Sequence, residues 1–82
     1  QRIAVVAIRN ANDGISTIGI ADSALSEIGN VLSRLAELSE QSANGVFSTV
    51  QRSALAQEFT ALGSEIERIA VTTRFNGVAL LS

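Results

Sequence analysis

Apolar side chains recur in steps of three and four through the first half of the chain, a spacing that keeps them on one face of an α-helix. They form a stripe at Ala4, Ile8, Ala11, Ile15, Ile18, Ala21, Leu25, Ile28, Leu32 and Leu35. A flanking row widens it, at Ile20, Ala24, Val31 and Leu38. The stripe is broader than the seam of a two-stranded coiled coil. The pattern therefore predicts a helix over about residues 1–42 that packs against more than one neighbour.

A turn-like tripeptide, Asn12-Asp13-Gly14, interrupts this helix. Alone, it would favour a helix end or a new start. However, Ala11, Ile15 and Ile18 keep the same helical phase across it, which a turn would usually break. One interior glycine costs only about 1 kcal/mol relative to alanine. We therefore predict one continuous helix.

Turn-forming residues then predict a loop over about residues 43–49. Asn44 and Gly45 are residue types that often cap a helix in the left-handed conformation, so one of them is expected to end the first helix. Ser48 and Gln51 have the spacing of a capping box, in which each side chain binds the other residue's backbone N–H. A second helix is therefore predicted over about residues 50–72.

The second helix also has one apolar face, with Glu65 and Arg68 able to pair on its polar side. The β-branched Thr72 and Thr73 predict fraying there. The residues after them, Phe75 to Leu81, combine an Asn-Gly turn signal with an apolar run and predict a turn and a short extended tail.

These elements predict an all-α fold, a long helical hairpin that forms part of a helical bundle. The stripe is already running at Ala4 without a capping residue, and the tail has no partner strand. We therefore interpret residues 1–82 as a single fragment of a longer chain, with no internal domain boundary. The expected helix-packing core consists of Ile8, Ile15, Ile18, Leu25, Ile28, Leu32, Leu35, Leu55, Phe59, Leu62, Ile66 and Ile69. Two helices leave apolar surface uncovered, so other helices are expected to pack on it.

Composition argues against catalysis and ligand chemistry. The chain has no His and no Cys, and its net charge is −2. We therefore expect no catalytic, metal or cofactor site, and no nucleic-acid binding. No stretch is long and apolar enough for a membrane span, and the N-terminus does not resemble a signal peptide. Asp22 interrupts the stripe. It is either a buried functional carboxylate or a residue at the edge of the stripe, and the edge position is favoured.

Three strings resemble the N-terminal conserved region of bacterial flagellin, in both order and spacing. They are RNANDGIS at Arg9–Ser16, LSEIGNVLSRLAELSEQSANG at Leu25–Gly45 and SEIERIAVTTRFNGVALL at Ser64–Leu81. The resemblance implies a secreted structural subunit of the extracellular flagellar filament, which self-assembles for motility. Its expected partners are other flagellin subunits and the C-terminal helix of the same chain.

The resemblance also implies a possible receptor contact, because some flagellins are recognised by Toll-like receptor 5 through this helical surface. The matching positions are Arg34, Leu38 and Glu58. Nearby, Ser33, Ala36 and Glu40 depart from the more typical Gln, Arg and Val, which makes the surface more negative and is expected to weaken recognition. Arg34 and Glu58 are equally interpretable as ordinary surface charges.

Two other interpretations stay open. The hook-filament junction protein shares this N-terminal architecture, although the SANG and FNG strings favour flagellin. A coiled-coil binding module could instead use the broad apolar face to dock a foreign helix. A C-terminal segment that resembles the flagellin terminal helices would favour flagellin, and its absence would favour the binding module.

Overall fold

The protein is a hairpin of two long helices. The computed structural model describes residues 1–81, with the side chains of residues 1–79. Helix α1 is Arg2–Asn44 and helix α2 is Thr49–Leu81, and a four-residue loop joins them. The helices pack side by side into a rod of 69 × 18 × 9 Å. The predicted all-α hairpin is confirmed.

Helix α1 continues through Asn12-Asp13-Gly14, as the phase of the apolar residues predicts. The hydroxyl of Thr17 donates a hydrogen bond to the Asp13 carbonyl oxygen at 2.8 Å, one turn back along the helix. This bond satisfies the Thr17 side chain within its own helix. The tripeptide therefore lies within a regular helix.

The end of α1 differs from the prediction, because neither Asn44 nor Gly45 adopts the left-handed conformation. Asn44 is still helical, and Gly45 is extended with φ −108° and ψ 155°. The Nδ2 of Asn44 donates to the Glu40 carbonyl oxygen at 3.0 Å. A carbonyl of the last turn thus gains a side-chain partner, so the left-handed cap is not needed for it.

The start of α2 confirms the capping box. The backbone N–H of Gln51 donates to Ser48 Oγ at 3.1 Å, and the backbone N–H of Ser48 donates to Gln51 Oε1 at 2.9 Å. Two N–H groups that the first helical turn cannot satisfy are thereby paired. The sequence therefore defines the start of α2 locally.

The end of α2 corrects the prediction of an extended tail. The helix continues beyond residue 72, through Asn76-Gly77, to Leu81, and Ser82 lies outside the described residues. Thr73 does not break it, because its hydroxyl donates to the Ile69 carbonyl oxygen at 2.6 Å. No proline intervenes, and one glycine costs a helix too little to end it.

Candidate assembly surface

The contact between the helices uses the flanking row of α1 together with Ile28 and Leu35 of its stripe. Leu38 is 1% exposed, the most buried side chain of α1. Ile20, Ala24 and Val31 are half-buried along the same side of the helix. The apolar spacing predicts this row as the margin of one broad face, but in the hairpin it is the face that meets α2.

On α2, the predicted apolar face meets α1. Ile69 is 4% exposed, and the other four residues of this face are half-buried, namely Leu55, Phe59, Leu62 and Ile66. From the predicted core of α1, Ile28 and Leu35 are also half-buried. Seven of the twelve predicted core residues therefore lie at the hairpin interface: Ile28, Leu35, Leu55, Phe59, Leu62, Ile66 and Ile69.

The other five predicted core residues form an exposed apolar row, which we call the outer face. They are Ile8 (61% exposed), Ile15 (68%), Ile18 (63%), Leu25 (66%) and Leu32 (53%). Leu32 and the buried Leu38 are six residues apart. At about 100° per residue, this separation places them about 120° apart around the helix axis. Helix α1 therefore has two apolar faces, and α2 covers one of them. Among the described residues, no helix has the length and apolar character that a membrane crossing requires.

An unpartnered row of this length calls for an explanation, because soluble proteins rarely leave large contiguous apolar surfaces in water. The row extends over residues 8–32, about 36 Å along the helix axis. Such a surface is typical of a site that another helix covers. The outer face is therefore the candidate functional site.

The charged residues Arg34 and Glu58, which match a receptor contact, lie close together in the hairpin. Nε of Arg34 donates to Glu58 Oε1 at 2.8 Å across the hairpin, and Nη1 of Arg34 donates to Glu37 Oε2 at 3.2 Å. These hydrogen bonds, the one to Glu58 first, raise the pKa of Arg34 above its ordinary value. Leu38, one turn further along α1, is buried between the helices. A partner of the hairpin could thus reach Arg34 and Glu58 directly, but not Leu38.

A groove between the helices runs beside the inter-helix contact. Small and hydroxyl side chains form most of its wall, with Glu27 and Arg68 at one part of it. Arg68 Nε donates to Glu65 Oε2 at 2.9 Å, which confirms the predicted pair. This hydrogen bond lowers the pKa of Glu65 and raises that of Arg68. The groove is open, and its wall mixes polar and apolar side chains, unlike the outer face.

A two-helix rod with an exposed apolar row has the form of an element that packs against further helices. The model of the bacterial flagellin N-terminal helical region matches residues 2–82. The chain belongs to the bacterial flagellin family. This family is structural, in agreement with the prediction that the chain is not an enzyme.

Curated relatives agree with this family. The chain is 53% identical over 77 residues to polar flagellin F of Vibrio parahaemolyticus. It is 52% identical over 77 residues to flagellin D of Vibrio cholerae and, equally, to flagellin D of Vibrio anguillarum. Each match covers 94% of this chain and 20% of the relative, so the chain spans about one fifth of these relatives. No solved structure matches it.

Proposed function

We propose that this region forms part of the helical core of a flagellar filament subunit, a structural protein that is secreted and assembles outside the cell for motility. The outer face supports this proposal most directly. Its five large apolar residues are more than half exposed in the hairpin. Covering them with further helices would remove apolar surface from water, which is the main driving force for association.

Two sources of covering helices are available to such a subunit. One is the remainder of its own chain, in particular a C-terminal helix, since this region spans one fifth of the relatives' length. The other is a neighbouring subunit of the filament. We propose that seven of the twelve residues of the predicted packing core pack within the hairpin and that the other five pack against these other helices.

The test expresses the full-length chain in a flagellated bacterium whose own filament gene has been deleted, so that it no longer swims. The unmodified chain is expected to restore filaments, seen by electron microscopy, and swimming in soft agar. Ile18→Glu or Leu25→Glu is expected to abolish both, because a charge on the outer face must be desolvated when a helix covers it. The matched control is Asn30→Glu, on the exposed polar side of α1. Wild-type filaments with both outer-face variants would refute the proposal.

Immunogold labelling of the same cells tests the junction-protein alternative. A filament subunit labels the whole shaft, whereas a junction protein labels only its base. The names of the curated relatives favour the first outcome, since each is a flagellin.

We further propose that Arg34 and Glu58 are the direct contacts of any recognition by Toll-like receptor 5. Their side chains are 46% and 38% exposed and lie together on one surface. Leu38 would then act by packing the hairpin rather than by touching the receptor. In a receptor-reporter cell assay, Arg34→Ala and Glu58→Ala should each reduce signalling, while Glu67→Ala should not. Unchanged signalling from both variants would remove this role.

A further inference from the structure

The dipeptide Asn-Gly is the step at which a protein chain deamidates most readily, and it occurs at Asn44-Gly45 and at Asn76-Gly77. Glycine promotes the reaction because it has no side chain to obstruct the approach of its own backbone nitrogen. The related step Asp13-Gly14 can form the same cyclic intermediate by loss of water. The backbone conformation at each step decides which of them reacts.

The reaction at Asn44 needs only water. The backbone nitrogen of Gly45 attacks Cγ of Asn44 and gives up its proton, and the new N–Cγ bond closes a five-membered succinimide. The Cγ–Nδ2 bond breaks, and the side-chain nitrogen leaves as ammonia with that proton. Water then opens the ring at either carbonyl, which gives aspartate or isoaspartate at position 44. The net change replaces an amide by a carboxylate, without oxidation or reduction.

A regular helix suppresses the ring closure, because its dihedral angles and hydrogen bonds hold the next backbone nitrogen away from the side chain. Asp13-Gly14 lies inside α1, and Asn76-Gly77 is followed by helix as far as Leu81. At Asn44-Gly45 the helix ends, since Asn44 is its last residue and Gly45 is extended. Fraying at a helix end costs almost no free energy, whereas opening a helix interior costs much more. Asn44 therefore reaches the reactive geometry most easily.

Solvent access does not separate the two Asn-Gly steps, because Asn44 and Asn76 are both exposed. They also share the residue that follows the glycine, Val46 in one case and Val78 in the other. The hairpin thus contains two steps of the same chemistry and similar exposure that differ in backbone conformation. Asn76 is therefore a matched internal control for Asn44.

The packing of the loop retains the glycine that makes the step reactive. A Cβ on Gly45 would overlap the ring of Phe47, which is half-buried and lines a hollow with Leu55 and Phe59 of α2. A Cβ on Gly77 would meet nothing within 4 Å. A larger residue at position 45 would slow the reaction, but it would also displace the Phe47 ring.

The product alters the end of α1. The Nδ2 of Asn44 donates to the Glu40 carbonyl oxygen at 3.0 Å, and a carboxylate has no hydrogen to donate there. The new negative charge lies at a helix C-terminus, where the helix dipole disfavours it. It also lies four residues after Glu40, and like charges at this spacing repel each other. All three effects loosen the last turn of α1.

We infer that Asn44-Gly45 is the preferred site of spontaneous deamidation in this hairpin, that Phe47 retains the reactive glycine, and that the product loosens the last turn of α1. This inference goes beyond the proposed function and does not depend on it, because it needs only the fold of the hairpin.

The first test incubates the full-length chain at mildly alkaline pH, folded and in concentrated urea, and follows both Asn-Gly steps by peptide mass spectrometry. In urea, where neither step is helical, Asn44 and Asn76 are expected to react at similar rates. In the folded chain the ratio of the Asn44 rate to the Asn76 rate should be at least about tenfold higher than in urea. An unchanged ratio, or no product at Asn44 in the folded chain, would overturn the assignment of the site.

The second test measures amide hydrogen exchange in the last turn of α1 of the full-length chain. Asn44→Asp has the same side chain as one product and is expected to speed exchange there about threefold or more. The matched control is Asn30→Asp, which adds the same charge at an exposed position within α1. Equal exchange in the last turn of the two variants would overturn the loosening.

The third test examines Phe47 by urea unfolding of full-length variants. Gly45→Ala is expected to destabilise the chain when Phe47 is present and to have no such effect in the Phe47→Ala background, where the ring that it would displace is absent. Equal destabilisation in both backgrounds would show that Phe47 does not retain the glycine.

Discussion

Arg34 and Glu58 join the two helices through a 2.8 Å hydrogen bond between residues 24 apart in sequence. Both side chains are partly in solvent, so salt should screen the pair. In a double-mutant cycle with Arg34→Ala and Glu58→Ala on the full-length chain, we expect a small coupling in the urea midpoint that shrinks in 1 M NaCl. A coupling that does not change with salt would show a buried contact in its place.

Leu38 is expected to contribute most to the stability of the hairpin. It is 1% exposed, and Leu→Ala changes at such sites cost about 2–5 kcal/mol. The measurement is urea unfolding of full-length Leu38→Ala followed by circular dichroism. Val50→Ala is the control, because Val50 is 79% exposed in the first turn of α2. Similar losses for the two variants would contradict the packing described above.

The capping box gives a local prediction at the start of α2. Ser48→Ala removes the acceptor of the Gln51 N–H and should cost about 0.5–2 kcal/mol. Amide hydrogen exchange should accelerate in the first turn of α2. Ser53→Ala, on an exposed site one turn further on, should leave exchange there unchanged. Equal exchange in the two variants would show that the box is dispensable.

The Glu65–Arg68 pair predicts a loss of stability in acid. The hydrogen bond from Arg68 lowers the pKa of Glu65 below its ordinary value of 4.5. Its contribution is therefore complete above pH 4.5 and is lost as the pH falls through the lowered pKa. The urea midpoint of the wild type should fall more between pH 6 and pH 3 than that of Glu65→Gln. Equal falls in the urea midpoints of the wild type and Glu65→Gln would show that this pair does not contribute to the loss of stability in acid.

Two glycines should respond in opposite ways to alanine. A Cβ on Gly45 would overlap the ring of Phe47, so Gly45→Ala must displace that ring and is expected to destabilise the loop. A Cβ on Gly63, in the interior of α2, meets nothing within 4 Å. Gly63→Ala should therefore stabilise the chain by about 1 kcal/mol. Equal shifts in the urea midpoint would contradict the close approach at Gly45.

Periodicity and local hydrogen-bonding signals predicted most of the fold. The capping box of Ser48 and Gln51 depends only on residues near in sequence, and so does the helical phase across Gly14. The tail after Thr73 was predicted wrongly because its propensities are weak, and the Thr73 hydroxyl is satisfied by its own helix. The β-branched threonines and the Asn-Gly dipeptide that predicted an end there cost a helix too little to stop it.

The sequence alone does not show which residues of the α1 stripe face α2 and which remain exposed. Periodicity identifies which residues are apolar on a helix, but it does not show which of two adjacent apolar faces meets a particular neighbour. Leu38 in the flanking row and Leu25 in the stripe have the same chemistry, yet one is 1% exposed and the other 66%. The choice depends on the angle at which α2 approaches.

The central claim is that other helices of a filament cover the outer face, and a cryo-EM reconstruction of filaments grown from the full-length chain tests it most directly. The account predicts other helices of the filament packed along Ile15, Ile18, Leu25 and Leu32. A filament in which these four side chains face solvent, or a full-length chain that forms no filament at all, would contradict it.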